Sequence, residues 1–585
     1  MKILPSVDVA LVGFGWTGAI MAQELTDAGL GVVALERGGW RDTSTDFAVT
    51  FAQDELRYMW RRALFEEPAR QTLTFRNNVT QTALPMRNLG SFLPGTGVGG
   101  AGVHWNGQNW RFLPSDFVAR SHNTERYGPL PDDMTVQDWG VTYDDLESHF
   151  DKFEYLCGVS GKAGNIKGQI QDGGNPFEGW RSREFPNPPL DMALAPTLFE
   201  TAARETGHKP FPCPAANLSR PYTNPLGVQL APCTFCGFCE KFGCGNFSKS
   251  TPQTTILPVL MRKKNFELRT QCEVLRVEHN AVARRATGVV YVDAQGEEYL
   301  QPAEMVILCA YALQNPRLML LSGIGTPYDP RTGEGVVGKN YAYQITSNVN
   351  VFYDDKVMNP FVGAGALGVG IDEYNGDNFN HSGLGFIGGG YLACWQTHGR
   401  PIEYHPTPED APKWGAKWKQ AVAKNYNSTA TISTHGAVMS HRNNYLDLDP
   451  TYRDVYGRPL LRMTFDFTDN EYKMSEYLTA RATEIAKAMK GREIKVNGRK
   501  GPYNIVPYQT THNTGGAIMG SDPKSSAVNR YLQSWDLHNL FVMGACAFPQ
   551  NPGYNPTGTV AALAYHSAEA IRTQYIKNPG FLVQA

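Results

Sequence analysis

A glycine-rich turn between a strand and a helix opens this chain and most constrains its fold. The apolar strand Val7–Val12 runs into Gly13, Gly15 and Gly18, and the residues after them are predicted to form a helix. In this pattern the first glycine permits a tight turn, the second lets the backbone approach a pyrophosphate, and the third allows close helix–strand packing. The sequence therefore predicts a nucleotide-binding βαβ unit.

The end of the second strand supports the same interpretation. Residues 31–35 form a short apolar run that ends on Glu36, with Arg37 next. This carboxylate follows the glycines by roughly 20 residues, where an acceptor for a ribose hydroxyl is expected. The phosphates would lie at the positive end of the helix dipole. The unit by itself leaves open whether the nucleotide is FAD or NAD.

A cluster of cysteines is the second informative feature. Cys233, Cys236, Cys239 and Cys244 fall within twelve residues. Thiolates at such spacing can converge on one metal centre, and both iron–sulfur clusters and tetrahedral zinc sites use C-x-x-C pairs. A redox cofactor elsewhere in the chain favours an electron-carrying cluster, with zinc as the competing interpretation. The other cysteines are scattered singly and are expected to be buried free thiols.

The composition bounds the class of protein. A chain of 585 residues is too long for one simple core and indicates two intimately packed domains. The net charge of -2 argues against nucleic acid as the main partner. No apolar run is long enough to cross a bilayer, and the chain enters its first strand so early that no cleavable signal peptide of the usual kind is expected. Composition alone indicates a soluble, cytoplasmic protein.

The order of elements predicts an α/β fold, a Rossmann-like nucleotide-binding domain with an interleaved substrate domain built on a largely antiparallel sheet. Several strands are predicted between residues 266 and 309, and the alternating pattern of residues 340–480 suits the second sheet. We assign the nucleotide-binding domain to residues 1–110, 250–340 and 505–585, a mixed segment with a cysteine-rich insertion to 111–249, and the substrate domain to 341–504.

Glycine-rich segments along the whole chain point to a family. Residues 95–107 resemble the flavin-contacting loop of glucose–methanol–choline (GMC) oxidoreductases, and residues 315–325 resemble their second signature, which ends in Ser-Gly-Ile-Gly. Segments 508–520 and 544–560 continue the resemblance in the family's order. One departure is Tyr343-Gln344, which stands where many relatives have Asp-His. The resemblance implies that the nucleotide is FAD.

The resemblance also implies the site residues. His512 matches the family's catalytic base, and a neutral imidazole has the basicity to take a hydroxyl proton near neutral pH. Asn555 matches the second catalytic position, where an amide holds the substrate oxygen. His104 stands where some relatives attach FAD covalently, and the alternative is that it only lines the flavin. The FAD contacts implied are Gly13, Gly15, Gly18, Glu36, Arg37, Gly99, Gly100, His104, Asn106, Val274, Gly544 and Ala545. We expect His435, His441, His538 and His566 to be ordinary structural residues.

Within the family, the cysteine segment resembles that of bacterial membrane-complex dehydrogenases whose large subunits carry an iron–sulfur cluster. This implies a 3Fe-4S cluster, which needs three of Cys233, Cys236, Cys239 and Cys244, and oxidation of gluconate at C2 to 2-keto-gluconate. It further implies a small subunit bearing an export signal, a multihaem cytochrome c subunit, and a place at the periplasmic face of the bacterial inner membrane. Membrane contact is then expected through the partners alone, and we follow this implication over the composition.

Two alternatives stay open. One is a related sugar or polyol dehydrogenase acting on glucose, fructose or sorbitol, and the other is a flavin oxidase with a structural zinc site. The aromatic residues Phe235, Phe238 and Phe242 are predicted either to form a docking surface for the partner or to pack against the cluster.

Overall fold

A parallel sheet forms the nucleotide-binding part of the chain in the computed structural model, which describes residues 1–47, 64–397 and 399–583. Its strands lie in the order Phe266–Arg269, Val32–Leu35, Val7–Val12 and Glu298–Leu308, with Leu540–Val542 on the far side of Glu298–Leu308. All of these pairs are parallel. The strand and glycine pattern at the start of the chain therefore lies at the centre of an open α/β sheet.

The long strand Glu298–Leu308 belongs to both a parallel and an antiparallel part of this sheet. Its second half pairs with Val7–Val12, while its first half pairs antiparallel with Arg285–Val292, which in turn pairs with Glu273–Asn280. The change of partner falls at Pro302, which has no N–H to donate to a ladder. In chain order, these two antiparallel strands thus fall between Phe266–Arg269 and Glu298–Leu308, which are both strands of the parallel sheet.

Helices with many small side chains cover the parallel sheet. Trp16–Asp27 begins directly after the glycine turn and is buried along almost its whole length. The helix Thr557–Ala570 packs against it and against Tyr143–Cys157. Because alanines fill much of Thr557–Ala570, three helices can approach closely there, so this layer shields the sheet from solvent.

The second large sheet is antiparallel throughout, as the sequence predicted. Its six strands lie in the order Glu493–Asn497, Ile345–Phe352, Thr429–Gly436, Gly390–Trp395, Gly368–Ile371 and Phe211–Pro212. Buried and half-buried residues alternate along Thr429–Gly436, so one face packs on the core and the other faces the cavity described below. The helix Asp469–Ala488 packs on the core face.

Two strand pairings cross the predicted domain boundaries. The boundaries themselves stay a prediction. Leu73–Arg76, from the first assigned segment, pairs in parallel with Pro459–Thr464 of the assigned substrate domain. Phe211–Pro212, from the mixed segment, provides the edge strand of the antiparallel sheet. Leu73–Arg76 and Pro459–Thr464 belong, with Leu84–Pro85 and Tyr445–Arg453, to a separate four-stranded sheet. The assigned segments therefore exchange strands rather than connect through single linkers.

The remaining elements are short or peripheral. The helices are Thr43–Asp46, Ala119–Tyr127, Leu194–Glu205, Pro252–Thr255, Leu257–Leu260, Gln314–Leu321 and Gly415–Asn425, and the strands are Lys2–Ile3, Leu84–Pro85, Asn165–Ile166, Gln169–Ile170, Tyr222–Thr223, Gln229–Leu230 and Tyr445–Arg453. Within the described ranges no helix has the length and apolar character needed to span a membrane. The cysteines outside the cluster are free and buried, as predicted: Cys157, Cys213, Cys272, Cys309, Cys394 and Cys546.

Candidate active site

One cavity of about 540 Å³ collects residues from both sheets. The predicted residues that line it are Gly13, Gly15, Glu36, Arg37, Gly100, His104, Asn106, Val274, His512, Gly544, Ala545 and Asn555. Gly18 and Gly99 are the predicted contacts that do not line it. Residues separated by more than 500 positions in the sequence therefore converge on a single site.

The three glycines of the opening turn differ in the space that surrounds them. A Cβ on Gly13, whose φ is +92°, would lie 2.6 Å from the carbonyl oxygen of Cys309, and one on Gly18 would lie 2.3 Å from that of Gly13. On Gly15 the nearest atom would be 3.9 Å away, so this glycine faces open space. Gly13 and Gly18 thus permit close packing, while Gly15 leaves room for a ligand.

The second glycine segment packs against the first. Gly100 lies beside Gly15, since a Cβ on Gly100 would approach the Cα of Gly15 to 3.3 Å. Gly99 faces the other way, and a Cβ there would lie 2.3 Å from the side chain of Gln253. Gly99 therefore packs against Gln253 and does not line the cavity. Gly544, on the opposite side, has no atom within 4 Å of its Cβ position.

Glu36 joins the two glycine segments. Its carboxylate accepts backbone N–H groups from Phe14 at 3.0 Å, Gly38 at 2.8 Å and Gly97 at 3.2 Å. Burial raises the pKa of Glu36, and these amide donors oppose that rise. Each carboxylate oxygen can accept more than one hydrogen bond, so a ribose hydroxyl can still be bound here. Arg37 pairs with Glu66 at the same end of the cavity.

His512 and Asn555 meet at the opposite end of the cavity. Nε2 of His512 lies 3.1 Å from Nδ2 of Asn555, and its Nδ1 lies 2.7 Å from Oε1 of Gln344. Burial lowers the pKa of His512 to about 3, with a further lowering from His435. The imidazole is therefore neutral across the ordinary pH range, as a base must be before it takes a proton.

The amide of Asn555 has a defined orientation. The hydroxyl of Tyr391 donates to Oδ1 of Asn555 at 2.8 Å, so the amide nitrogen is the atom that faces His512. Tyr391 is itself fully buried and stacks on His435, with ring centroids 4.8 Å apart. A substrate oxygen placed between His512 and Asn555 would meet one acceptor and one donor.

The sequence analysis gave no role to His435, which lines the cavity, or to Gln344, which contacts both His435 and His512. His435 lines the cavity, and its Nδ1 lies 3.3 Å from the same Gln344 oxygen that contacts His512. It is thus part of the site rather than an ordinary structural histidine. The replacement of Asp-His by Tyr343-Gln344 was the one signal in the sequence that marked this position as unusual.

His104 lies in the middle of the cavity wall. Its Nε2 is buried and, among the described residues, has no hydrogen-bond partner. Burial lowers the pKa of His104 to about 3, and the nearby charge of Lys249 lowers it further. Asn106 accepts the backbone N–H of Gln108 at 3.1 Å, which closes the loop into a turn. An unpartnered imidazole facing the cavity fits either a flavin contact or an attachment point.

Comparisons with known proteins give the family. Profiles described as GMC oxidoreductase match residues 222–346 and 440–564. The chain is 51% identical to the gluconate 2-dehydrogenase flavoprotein of Pantoea cypripedii, over 100% of this chain and 96% of that protein. The chain belongs to the GMC oxidoreductase family.

It is also 24% identical to the fructose dehydrogenase large subunit of Gluconobacter japonicus, over 97% of this chain and 98% of that one. Pyridoxine 4-oxidase from Mesorbium loti shares its fold, with a TM-score of 0.57 at 15% identity, over 98% of this chain and 100% of that one.

Family membership makes the chain an FAD-dependent oxidoreductase. The cavity of this GMC oxidoreductase fits the cofactor, because Gly15 and Gly544 leave open space where side chains would block a ligand. Glu36 provides a carboxylate at one end, and His512 with Asn555 provides polar groups at the other. The predicted fold and the identification of FAD are therefore confirmed at the level of the family.

The cysteine segment of this GMC oxidoreductase packs beside the flavin-contacting loop. Lys241 donates its backbone N–H to the carbonyl of His104 at 2.9 Å. In the ranges 1–47, 64–397 and 399–583, no three His, Cys, Asp or Glu side chains form a group that could hold a metal ion. Burial raises the pKa of Cys239 well above its usual value, and the charges of Cys236, Cys233 and Cys244 raise it further. The four thiols thus lie within electrostatic reach of one another, and the metal site stays a prediction.

Lys249 is buried in the middle of this segment. Its ammonium is fully inaccessible and donates to the carbonyls of Trp105 at 2.6 Å and of Cys239 and Phe242 at 2.8 Å. It forms no ion pair with any carboxylate of the described residues. Three hydrogen bonds satisfy its N–H groups but leave its charge uncompensated, which is unfavourable in a protein interior. The nearest groups that can supply negative charge include the cysteine thiols.

The proposed aromatic docking surface is wrong for two of its three residues. Phe238 and Phe242 are each 2% exposed and pack edge to face, with ring centroids 5.3 Å apart. Burial excludes both side chains from an exposed docking surface, and their packing against a cluster stays a prediction. Phe235 is half-buried.

Proposed function

We propose that this chain oxidises the C2 hydroxyl of gluconate to 2-keto-gluconate. The observation that supports the chemistry is the pairing of an imidazole acceptor on His512 with an amide donor on Asn555 at one end of the cavity. The substrate is proposed from the 51% identity with the flavoprotein of Pantoea cypripedii. We expect the substrate to bind with its C2 oxygen between these two side chains.

The side chains divide the work at the reacting carbon. Nε2 of His512 takes the hydroxyl proton as the C2–H bond breaks, and Nδ2 of Asn555 donates to the substrate oxygen throughout. FAD, when bound, supplies the acceptor for the hydride that leaves C2. The alcohol thereby loses one proton and one hydride and becomes a ketone. Asn555 only positions the substrate, because a neutral amide does not act as a base near neutral pH.

We further propose that the electrons leave through an iron–sulfur cluster. Three of Cys233, Cys236, Cys239 and Cys244 would hold a 3Fe-4S cluster, which supplies one-electron transfer to a haem partner. The proposal is supported by the four thiols in one segment and by the uncompensated charge of Lys249 beside them. A thiolate-ligated cluster carries net negative charge and would balance that ammonium.

The partners and location are proposals of the same kind. By resemblance, the chain would associate with a small export-signal subunit and a multihaem cytochrome c at the periplasmic face of the bacterial inner membrane. The large-subunit name of the fructose dehydrogenase relative is in keeping with an enzyme of several subunits. Purification of the chain with its neighbouring gene products, followed by haem and subunit analysis, tests this assembly.

One experiment tests the substrate. Anaerobic mixing of the holoenzyme with gluconate, glucose, fructose or sorbitol should bleach the flavin absorbance fastest with gluconate. Bleaching by a neutral sugar but not by gluconate would move the assignment to a related sugar or polyol dehydrogenase. Metal analysis of the same sample separates the iron–sulfur proposal from a flavin oxidase, since zinc without iron would favour the oxidase.

A further inference from the structure

Gln344 occupies a special position between two histidines. Its side chain is completely buried. Its Oε1 lies 2.7 Å from Nδ1 of His512 and 3.3 Å from Nδ1 of His435, while its Nε2 donates to the carbonyl of Gly553. One amide therefore contacts the proposed base, a second cavity-lining imidazole and the backbone near Asn555.

The contact with Gly553 fixes which way the amide points. A backbone carbonyl only accepts hydrogen bonds, so the Gln344 atom facing Gly553 must be the NH₂ group. The carbonyl oxygen of Gln344 then faces both imidazoles. An amide oxygen also only accepts, so each histidine must carry its proton on Nδ1.

This arrangement determines what His512 presents to the substrate. With the proton on Nδ1, Nε2 carries the lone pair, and Nδ2 of Asn555 donates toward it at 3.1 Å. The opposite tautomer would set two donors against each other at this contact. Gln344 is also neutral, whereas a carboxylate in its place would stabilise an imidazolium ion.

We infer that Gln344 is a positioning residue that holds His512 and His435 in the Nδ1–H form, so that Nε2 of His512 carries the lone pair that accepts the proton of the substrate hydroxyl. This inference deepens the proposed function and rests on His512 acting as its base. It also explains the departure at Tyr343-Gln344, because glutamine supplies the hydrogen-bond acceptor that these histidines need without adding a charge.

Among the residues that the structure describes, few other groups could set the protonation states of His512 and His435. The groups that shift the pKa values are the other histidine, for His512, and Glu240, for His435, and the ring of Tyr391 stacks on His435. Burial is the main cause of the low pKa of both imidazoles, about 3 for His512 and about 4 for His435. A new charge on residue 344 would therefore have a large effect.

Two variants test the inference by the pH dependence of flavin reduction in the holoenzyme, measured in single-turnover mixing. In Gln344→Glu, a carboxylate accepts the same hydrogen bonds but raises the pKa of His512, so the acid limb of the rate should move to higher pH by about one unit or more. In Gln344→Met, which has no acceptor, the rate should fall on the order of 10²-fold with no such displacement of the acid limb.

The matched control is Gln533→Met. Gln533 is also completely buried and donates to a backbone carbonyl, that of His538 at 2.6 Å, but its side chain contacts neither His512 nor His435. Its rate profile should match wild type even if its stability falls. An unchanged acid limb in Gln344→Glu together with a wild-type rate in Gln344→Met would overturn the inference.

Two further measurements keep the outcomes distinct. If Gln344→Glu does not fold with FAD, the ¹⁵N shifts of the wild-type histidine nitrogens report the tautomers directly, and a proton on Nε2 of His512 contradicts the inference. If gluconate fails to reduce the wild-type flavin, the proposed substrate is wrong. The same variants are then tested with whichever sugar or polyol does reduce it.

Discussion

The amide nitrogen of Asn555 lies 3.1 Å from Nε2 of His512, although the two residues are 43 positions apart in the sequence. His512 lies two residues before Thr514, which bridges Ala342 just ahead of the strand Ile345–Phe352, and Asn555 precedes the helix Thr557–Ala570. The contact therefore brings the substrate sheet and the nucleotide-binding part together at the atom proposed to take the substrate's proton.

Removal of the proposed base should abolish most of the chemistry and leave the cofactor bound. We expect His512→Ala to slow flavin reduction by gluconate about 10²- to 10⁴-fold, with FAD content unchanged. His566→Ala is the control, because His566 is half-buried and stacks on Tyr531, outside the cavity. Stopped-flow absorbance at the flavin band measures both. An unchanged rate in His512→Ala would remove His512 from the mechanism.

The low pKa of His512 predicts an unusual pH profile. A base works only when unprotonated, and burial lowers the pKa of His512 to about 3. The flavin reduction rate should therefore stay nearly constant as the pH falls from 8 to about 4 and decline only below that, provided the protein stays folded. A decline centred near the ordinary histidine value of about 6.5 would show that the imidazole is not shielded in the holoenzyme.

Substitutions of the opening glycines should affect FAD binding and folding stability separately. A methyl group on Gly15, whose φ is -92°, meets no protein atom within 3.9 Å, so Gly15→Ala should fold normally but bind FAD less tightly. Gly18→Ala places its Cβ 2.3 Å from the Gly13 carbonyl and should lower the melting temperature even without FAD. Calorimetry of both apoproteins and flavin titration distinguish the two. Equal melting temperatures for both variants would contradict the assigned roles.

The buried lysine should tune the proposed cluster. Lys249→Met removes a positive charge beside the cysteines, so the midpoint potential of the cluster should shift to more negative values by some tens of millivolts. EPR-monitored redox titration measures the shift. Lys263→Met, which removes a lysine paired with Asp27 at the periphery, should leave the potential unchanged. A preparation that contains no iron would contradict the cluster itself.

A buried charge network should stabilise the segment between residues 111 and 181. Glu154 accepts from Arg111 and Arg181, and all three side chains are 2% exposed. Burial raises the pKa of Glu154, but the two guanidinium groups lower it to about 2 overall. Because the folded pKa is depressed, the stability it contributes is present above the unfolded value and is lost as the pH falls toward 2.

Substitution of this carboxylate tests the network. Glu154→Gln leaves two buried guanidinium groups with less negative charge and should lower the free energy of unfolding by about 3–5 kcal/mol. Asp151→Asn, which breaks a pair with the half-exposed Arg183, should change it by less than about 1 kcal/mol. Urea unfolding at pH 7 compares the two. Equal losses would mean that burial adds nothing to the pair.

Local patterns in the sequence were enough to predict much of this structure. The strand Val7–Val12 and the helix Trp16–Asp27 follow from the apolar run and the glycine pattern between them. The antiparallel sheet followed from alternation. Each of these signals lies within a short stretch of chain, so one sequence can reveal them.

The parts that could not be predicted depend on contacts between distant segments. Gln344 contacts His512 and Gly553, which lie 168 and 209 positions away. Lys249 is indistinguishable from a surface lysine until its three carbonyl partners are known. Phe238 and Phe242 gave no sign of whether they faced in or out. Long-range pairing of this kind leaves no periodic trace in the sequence.

The strand Leu540–Val542 has a consequence for the order of biosynthesis. It lies next to Glu298–Leu308, at the edge of the sheet that begins with Val7–Val12, and Gly544 directly after it lines the cofactor cavity. The nucleotide site is thus incomplete until residue 544 has left the ribosome. FAD is expected to bind only after that point, and any transport with bound cofactor would have to move a chain in which this sheet is already folded.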